Sequence, residues 1–148
     1  MTDRTNQPAP LCGYSGDPGA MTNAAFCPGA EQSGDEVAAW LHDHGAPGEA
    51  VVLLFRHQGL CQFRLDEIAA WRGHRVHLVE HGSFESQGFS IDKPKGIYLR
   101  ILKPTAVVLD AALKGATLQH CKLVNERQLS AREEALAHRI RRKFIPEP

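Results

Sequence analysis

The sequence has no long apolar run and lacks the short signatures of the common enzyme families. Its longest apolar stretches, at 51–55 and 106–109, are far shorter than the roughly 20 residues that cross a bilayer. A phosphate-binding loop, a dinucleotide-binding glycine pattern, a nucleophile elbow and an HExxH zinc motif are all missing. We therefore expect no contact with a membrane, and no motif assigns an enzyme class.

Cysteine is scarce and scattered. Cys12, Cys27, Cys61 and Cys121 form no C-x-x-C pair and no zinc-finger spacing, so we expect free thiols, with a Cys12/Cys27 site and a distant histidine as the alternative. No metal site and no cofactor is predicted. Since the start of the chain lacks a basic stretch followed by an apolar one, no secretory signal is expected and a cytoplasmic location is predicted.

The net charge of zero conceals an uneven distribution along the chain. Residues 1–92 carry 5 basic and 12 acidic side chains, whereas residues 93–148 carry 12 basic and 5 acidic ones. A basic half is typical of a protein that binds an anionic partner, nucleic acid above all. The alternative is that the two halves pack together and neutralise each other.

The composition indicates one domain that follows a leader. Residues 1–33 are rich in glycine, proline and serine without either apolar period, and this predicts a flexible leader. Residues 34–148 are predicted to form a single α+β domain with a mixed sheet of about four or five strands.

A short repeat suggests two equivalent helices. Residues 35–40 read DEVAAW and residues 66–71 read DEIAAW, each with acidic residues where a first helical turn favours them. Apolar runs at 50–56 and 75–80 predict strands, so 50–80 reads as a βαβ-like unit. Residues 65–71 also resemble the first helix of helix-turn-helix DNA-binding proteins, which implies a recognition helix after them.

The second half predicts further elements. Residues 84–91 and 97–102 are expected to form a β-hairpin with a basic tip, followed by a helix at 105–114 that Gly115 ends. A strand is predicted near 117–124. Ser130 and Glu133 form a capping box that predicts the last helix, and Pro146 ends it.

Three neighbouring histidines, His74, His77 and His81, are the first candidates for chemistry. On a strand His77 and His81 would share a face but lie about 13 Å apart, too far to bind one metal ion. They remain weak candidates for catalysis. A catalytic role requires one of them to lie in a concave pocket beside a carboxylate.

The main functional hypothesis depends on dispersed basic residues. It predicts a non-enzymatic binding or regulatory domain that contacts nucleic acid or another anionic partner, such as an acidic protein. One alternative is a small enzyme acting on nucleic acid or nucleotide through its histidines. Another is a protein-interaction module whose acidic half matters more. The residues predicted to contact the anion are Lys93, Lys95, Arg139, Arg141, Arg142 and Lys143.

Overall fold

The computed structural model describes the backbone of residues 28–92, 97–119 and 122–144, and side chains up to Arg142. These ranges contain three helices and seven strands in an α+β arrangement. In chain order they are α1 (Gly34–His44), β1 (Ala50–His57), β2 (Leu60–Arg72), β3 (Arg75–Leu78), β4 (Gly82–Glu85), β5 (Tyr98–Leu102), α2 (Ala106–Leu113), β6 (Ala116–Gln119), β7 (Lys122–Glu126) and α3 (Ala131–Phe144). None of the described helices is long and apolar enough to cross a bilayer.

The strands form one curled antiparallel sheet. Its main path runs β4-β3-β2-β1-β5, and β6 joins the first residues of β2 and then pairs with β7. The two central strands, β1 and β2, are joined by a two-residue turn, because His57 pairs with Leu60. Gln58 and Gly59 in this turn both have positive φ, at 52° and 82°, which is the conformation that matches the twist of a hairpin.

The core lies on both faces of β1. Val51 and Leu53 face a cluster that includes Val37 and Trp40 of α1. The alternate residues of β1 face a second cluster built with α2 and α3. A strand covered on both faces explains the continuous apolar run at 50–56, and the prediction of a buried strand there is confirmed.

The helices with clear capping residues form where the sequence predicts them. Ser33 caps α1 by accepting a hydrogen bond from the Glu36 N–H, and Thr105 caps α2 in the same way. The capping box before α3 is complete, since Ser130 Oγ accepts from the Glu133 N–H at 3.1 Å and Glu133 accepts from the Ser130 N–H. Local signals therefore define all three described helices.

The second copy of the repeat is a strand, not a helix, so that prediction is wrong. Residues 66–71 continue β2, in which Asp66 and Glu67 pair with Val51 and Ala50 of β1. Ser33 caps the first copy, whereas Arg64 takes the equivalent position before the second and cannot cap a helix. Because residues 66–71 do not form a helix, the predicted βαβ-like unit and the structure implied by the helix-turn-helix resemblance are wrong as well. Every described strand pair is antiparallel, so the mixed sheet is corrected as well.

Two further predictions need correction. Residues 84–91 do not form one continuous hairpin strand, because β4 ends at Glu85 and pairs with β3. Residues 88–90 do pair antiparallel with β5, through a bridge between Phe89 and Arg100 and backbone hydrogen bonds on either side of it. The single strand expected near 117–124 is two antiparallel strands, β6 and β7.

The N-terminal leader and the cysteines are only partly described. Residues 1–27 lie outside the described residues. Gln32, which the sequence assigns to the leader, is buried. Its side-chain amide donates a hydrogen bond to the Lys103 carbonyl just after β5 and accepts one from the Lys103 N–H. Cys61 is disulfide-bonded, so the expectation of a free thiol there is wrong. The other three cysteines lie outside the described residues.

Candidate functional site

Asp66 is a fully buried carboxylate at the point where β2 leaves β1 and begins to pair with β3. Its exposed fraction is 0%. Three backbone N–H groups donate to it, those of Glu67 at 2.7 Å, Glu80 at 3.1 Å and His81 at 3.0 Å. The carboxylate thereby fixes the turn between β3 and β4 to the middle of β2.

The His81 side chain completes this arrangement. Its Nδ1 lies 2.7 Å from Asp66 Oδ2, and its side chain is 21% exposed. Burial would raise the pKa of the Asp66 carboxyl, but the hydrogen bonds from His81 and from the Glu67 and Glu80 backbone outweigh it and lower that pKa below its usual range.

The charge of Asp66 determines the tautomer of His81. An ionised carboxylate can only accept hydrogen bonds, so Nδ1 of His81 must carry the proton that joins them. In the neutral ring the Nε2 atom is then an acceptor. Nε2 makes no hydrogen bond to any residue in the described ranges. The arrangement thus presents a basic nitrogen held in a fixed orientation.

Arg132 from α3 brings the C-terminal helix to the same carboxylate. Its Nη2 lies 3.2 Å from Asp66 and 3.4 Å from Glu67, and its Nη1 lies 3.3 Å from Glu80. The guanidinium therefore connects α3 to β2 and to the turn that carries His81. The sequence pattern favours Asp66 as a partner of a helix dipole rather than as a site residue, and no local motif marks Arg132.

His81 lines a small pocket of about 140 Å³ between β2, the β3–β4 turn and α3. Arg132, Ser130 and Arg64 line it as well. The Arg64 guanidinium donates to Gln62 through Nη2 at 2.8 Å, and its buried Nε has no hydrogen-bond partner among the residues described. His81 therefore meets the requirement set by the sequence, a histidine in a pocket beside a carboxylate.

Glu133, which also lines the pocket, forms a second ion pair with Arg127. Arg127 Nη2 lies 2.7 Å from Glu133 Oε2, and Nη1 lies 2.8 Å from Glu133 Oε1. The Arg127 hydrogen bonds, with smaller help from Ser130, lower the pKa of Glu133 to about 2. These charge-assisted hydrogen bonds between Arg127 and Glu133 thus fix the position of the first turn of α3.

His77 lies apart from this pocket. It belongs to β3, and its Nδ1 lies 2.7 Å from the Ser83 hydroxyl on β4. His74 borders a different groove, beside His42 and Trp71 at the end of α1. Among the described residues no group of three histidine, cysteine or acidic side chains could hold a metal ion.

The structure describes the side chains of only three of the six predicted basic residues, so the predicted anion-binding surface stays a prediction. Lys93 and Lys95 lie outside the described residues, as does the side chain of Lys143. Arg139 donates to the Gly48 carbonyl and so binds its own domain. Arg141 and Arg142 are exposed on α3, where neither makes an ion pair with a described residue.

Several other basic residues of the second half contact the first half. Lys103 lies 3.6 Å from Glu36, and Arg132 contacts two carboxylates of β2 and one of the β3–β4 turn. Arg100 is buried at 1% exposure, where it donates to the Gln32 carbonyl and stacks on Phe89. Part of the charge asymmetry is therefore neutralised within the domain.

Comparison with known proteins adds no relative. No family model, no curated protein and no solved structure matches the chain. Functional inference therefore depends on the geometry of the described residues.

Proposed function

We propose that the chain is a small enzyme in which His81 is the acid–base group, acting on a phosphate-bearing substrate, either a nucleotide or nucleic acid. The observation that carries the proposal is the 2.7 Å hydrogen bond between His81 and the buried Asp66 at the wall of a pocket. Such a carboxylate holds the ring and stabilises the imidazolium that forms when Nε2 accepts a proton.

The proposed step is hydrolysis or transfer at a phosphate ester. Nε2 accepts the proton of an attacking water or hydroxyl as its oxygen bonds to phosphorus. The imidazolium then returns this proton to the leaving oxygen as the old P–O bond breaks. Arg64 lines the pocket and makes its side-chain hydrogen bond to the neutral Gln62, so its positive charge supports a phosphate oxygen as the ligand. The exposed Arg141 and Arg142 on α3 support an extended anionic substrate.

The test is a turnover assay on a panel of nucleotides, RNA and DNA. We expect His81→Gln to lower kcat/KM by roughly 10²–10⁴-fold, because the general base is removed. His77→Gln is the matched control, since His77 is four residues away on the chain and bonds only Ser83 in the described structure. Absence of turnover by the unmodified protein on the whole panel, or equal turnover by both variants, would overturn the proposal.

A second candidate function is binding of nucleic acid without chemistry. It is supported by the exposed Arg141 and Arg142, whose guanidinium groups make no ion pair with a described residue. Phosphate groups of a nucleic acid would bind these two guanidinium groups and release the counterions condensed on the nucleic acid. An acidic protein surface would use the same side chains.

Binding through α3 predicts a defined salt dependence. Replacing both arginines by alanine is expected to weaken binding of labelled single-stranded or duplex DNA. It should also flatten the plot of log K against log salt by about 1.4–1.8, the contribution of two phosphate contacts. Lys103→Ala is the control, because Lys103 already pairs with Glu36. An unchanged slope, or no binding at low salt, would rule this function out.

A further inference from the structure

Arg100 is a charged residue at a core position of β5. Its Cα pairs with Leu54 of β1 on one side and with Phe89 on the other, and the residue is only 1% exposed. Leu102, two residues further along the strand, belongs to the core cluster that α2 and α3 help to form. Alternate residues of a strand share a face, so the Arg100 side chain occupies a place where an apolar residue is the usual choice.

The described contacts of the Arg100 guanidinium are all with neutral groups. Its Nη1 donates to the Gln32 carbonyl at 2.9 Å, and its Cζ lies 4.5 Å from the centre of the Phe89 ring. No described carboxylate forms an ion pair with it. A buried cation is costly unless an anion shares its site, and neither a carbonyl nor an aromatic ring carries a full negative charge. The charge of Arg100 is therefore not compensated within the described ranges.

The unpartnered donors of Arg100 lie along one edge of its guanidinium. Nε and Nη2 are both buried, and neither has a hydrogen-bond partner in the described structure. In the planar group the Nε–H bond and one Nη2–H bond run parallel, and this edge binds the two oxygens of a carboxylate or a phosphate. A water molecule could accept one of these hydrogen bonds but would leave the charge unbalanced. The open edge thus matches a two-oxygen anion in both geometry and charge.

The segment 28–33, which precedes α1, lies against this guanidinium. Gln32 holds the segment in place, because its carbonyl accepts from Arg100 and its side-chain amide bonds the Lys103 backbone in both directions, at 2.8 and 2.7 Å. The described hydrogen bonds that tie the segment to Arg100 and to Lys103 all involve Gln32. Local opening of such a short segment is part of native-state dynamics, and it gives a small ion a route to Arg100.

We propose that the Nε–Nη2 edge of Arg100 binds a small oxyanion, a carboxylate or a phosphate group, which supplies the missing negative charge. The ligand is small because Arg100 is almost completely enclosed. The site is independent of the proposed catalysis, since no residue that lines the His81 pocket makes a described polar or ring contact with Arg100.

The side-chain Nε–H signal of Arg100 in nuclear magnetic resonance spectra reports binding directly, and Arg100→Lys identifies that signal by its loss. During titration with formate or with inorganic phosphate, we expect its proton and nitrogen shifts to move and then saturate, because a charged acceptor forms a stronger hydrogen bond. Sodium chloride at the same ionic strength is the control, since a monatomic ion lacks the two oxygens. The anion that saturates at the lower concentration identifies the ligand as a carboxylate or a phosphate.

Thermal unfolding in formate gives a second measurement. A ligand that binds only the native state stabilises it, so the melting temperature of the unmodified protein should rise with formate concentration. Arg100→Met should remove this response and is expected to fold, because an apolar side chain replaces a buried charge. Arg100→Lys keeps the charge without the two-donor edge, and it should also lose the response.

The outcomes separate this site from the pocket at His81. Phosphate bound only in that pocket would shift the Nε–H signal of Arg64 and leave the signal of Arg100 in place. An Arg100 signal that neither formate nor phosphate moves would overturn the proposal. An equal rise in melting temperature for the unmodified protein and Arg100→Met would do so as well, whatever the result of the turnover assay.

Discussion

Replacing Asp66 by alanine is expected to lower the free energy of unfolding by about 3–5 kcal/mol. The substitution leaves three backbone N–H donors and the His81 ring without their acceptor. It also removes the buried charge to which Arg132 is bound. Urea unfolding at neutral pH measures the loss.

Glu67→Gln is the matched control for this prediction. Glu67 is the next residue and contacts the same Arg132 guanidinium at 3.4 Å, but it is only half-buried and no backbone N–H depends on it in the described structure. Its loss should cost less than about 1 kcal/mol, as for other partly exposed ion pairs. Equal costs for the two substitutions would show that Asp66 does not organise the turn.

Acid is expected to destabilise the protein through Glu133. Its pKa falls from 4.5 to about 2 on folding, so the ionised form contributes stability above the unfolded value, and this contribution disappears as the pH falls from about 5 to 2. A shift of this size corresponds to about 3 kcal/mol. The side chain is 14% exposed, so screening by solvent is limited.

Comparing Glu133→Gln with the unmodified protein isolates this contribution. Glutamine preserves the capping box but cannot be charged. The variant should therefore be less stable at pH 6 and nearly as stable as the unmodified protein at pH 2. Glu134→Gln, an exposed neighbour, should follow the unmodified protein throughout. A stability difference for Glu133→Gln that does not change with pH would contradict the prediction.

The sequence predicts those elements whose signals are local. Acidic residues in a first turn, a glycine stop and the Ser130 capping box predict helices where α1, α2 and α3 form, and Ser33 and Thr105 prove to cap the first two. The segment 66–71 has the same pattern as α1 but lies within reach of β1, and pairing across the hairpin overrides its helical tendency. The alternation of buried Phe63 and Leu65 before it is the local signal that favoured a strand.

The candidate site could be predicted only in part. His81 belongs to a visible histidine cluster and was identified as a candidate, but its partners are remote in sequence. Asp66 precedes it by 15 residues, and Arg132 lies 66 residues after Asp66. Only the curl of the sheet and the docking of α3 bring these three side chains together, and no periodicity within a short window encodes that proximity.

The two-residue turn at Gln58 and Gly59 has a consequence for how the sheet assembles. Closing a loop costs chain entropy that grows with its length. The β1–β2 pair, like the shorter β2–β3 pair, closes only a two-residue turn, whereas β5 and β6 must return to β1 and β2 across much longer stretches of chain. We therefore expect the central hairpin to form before the distant strands and α3 add to it.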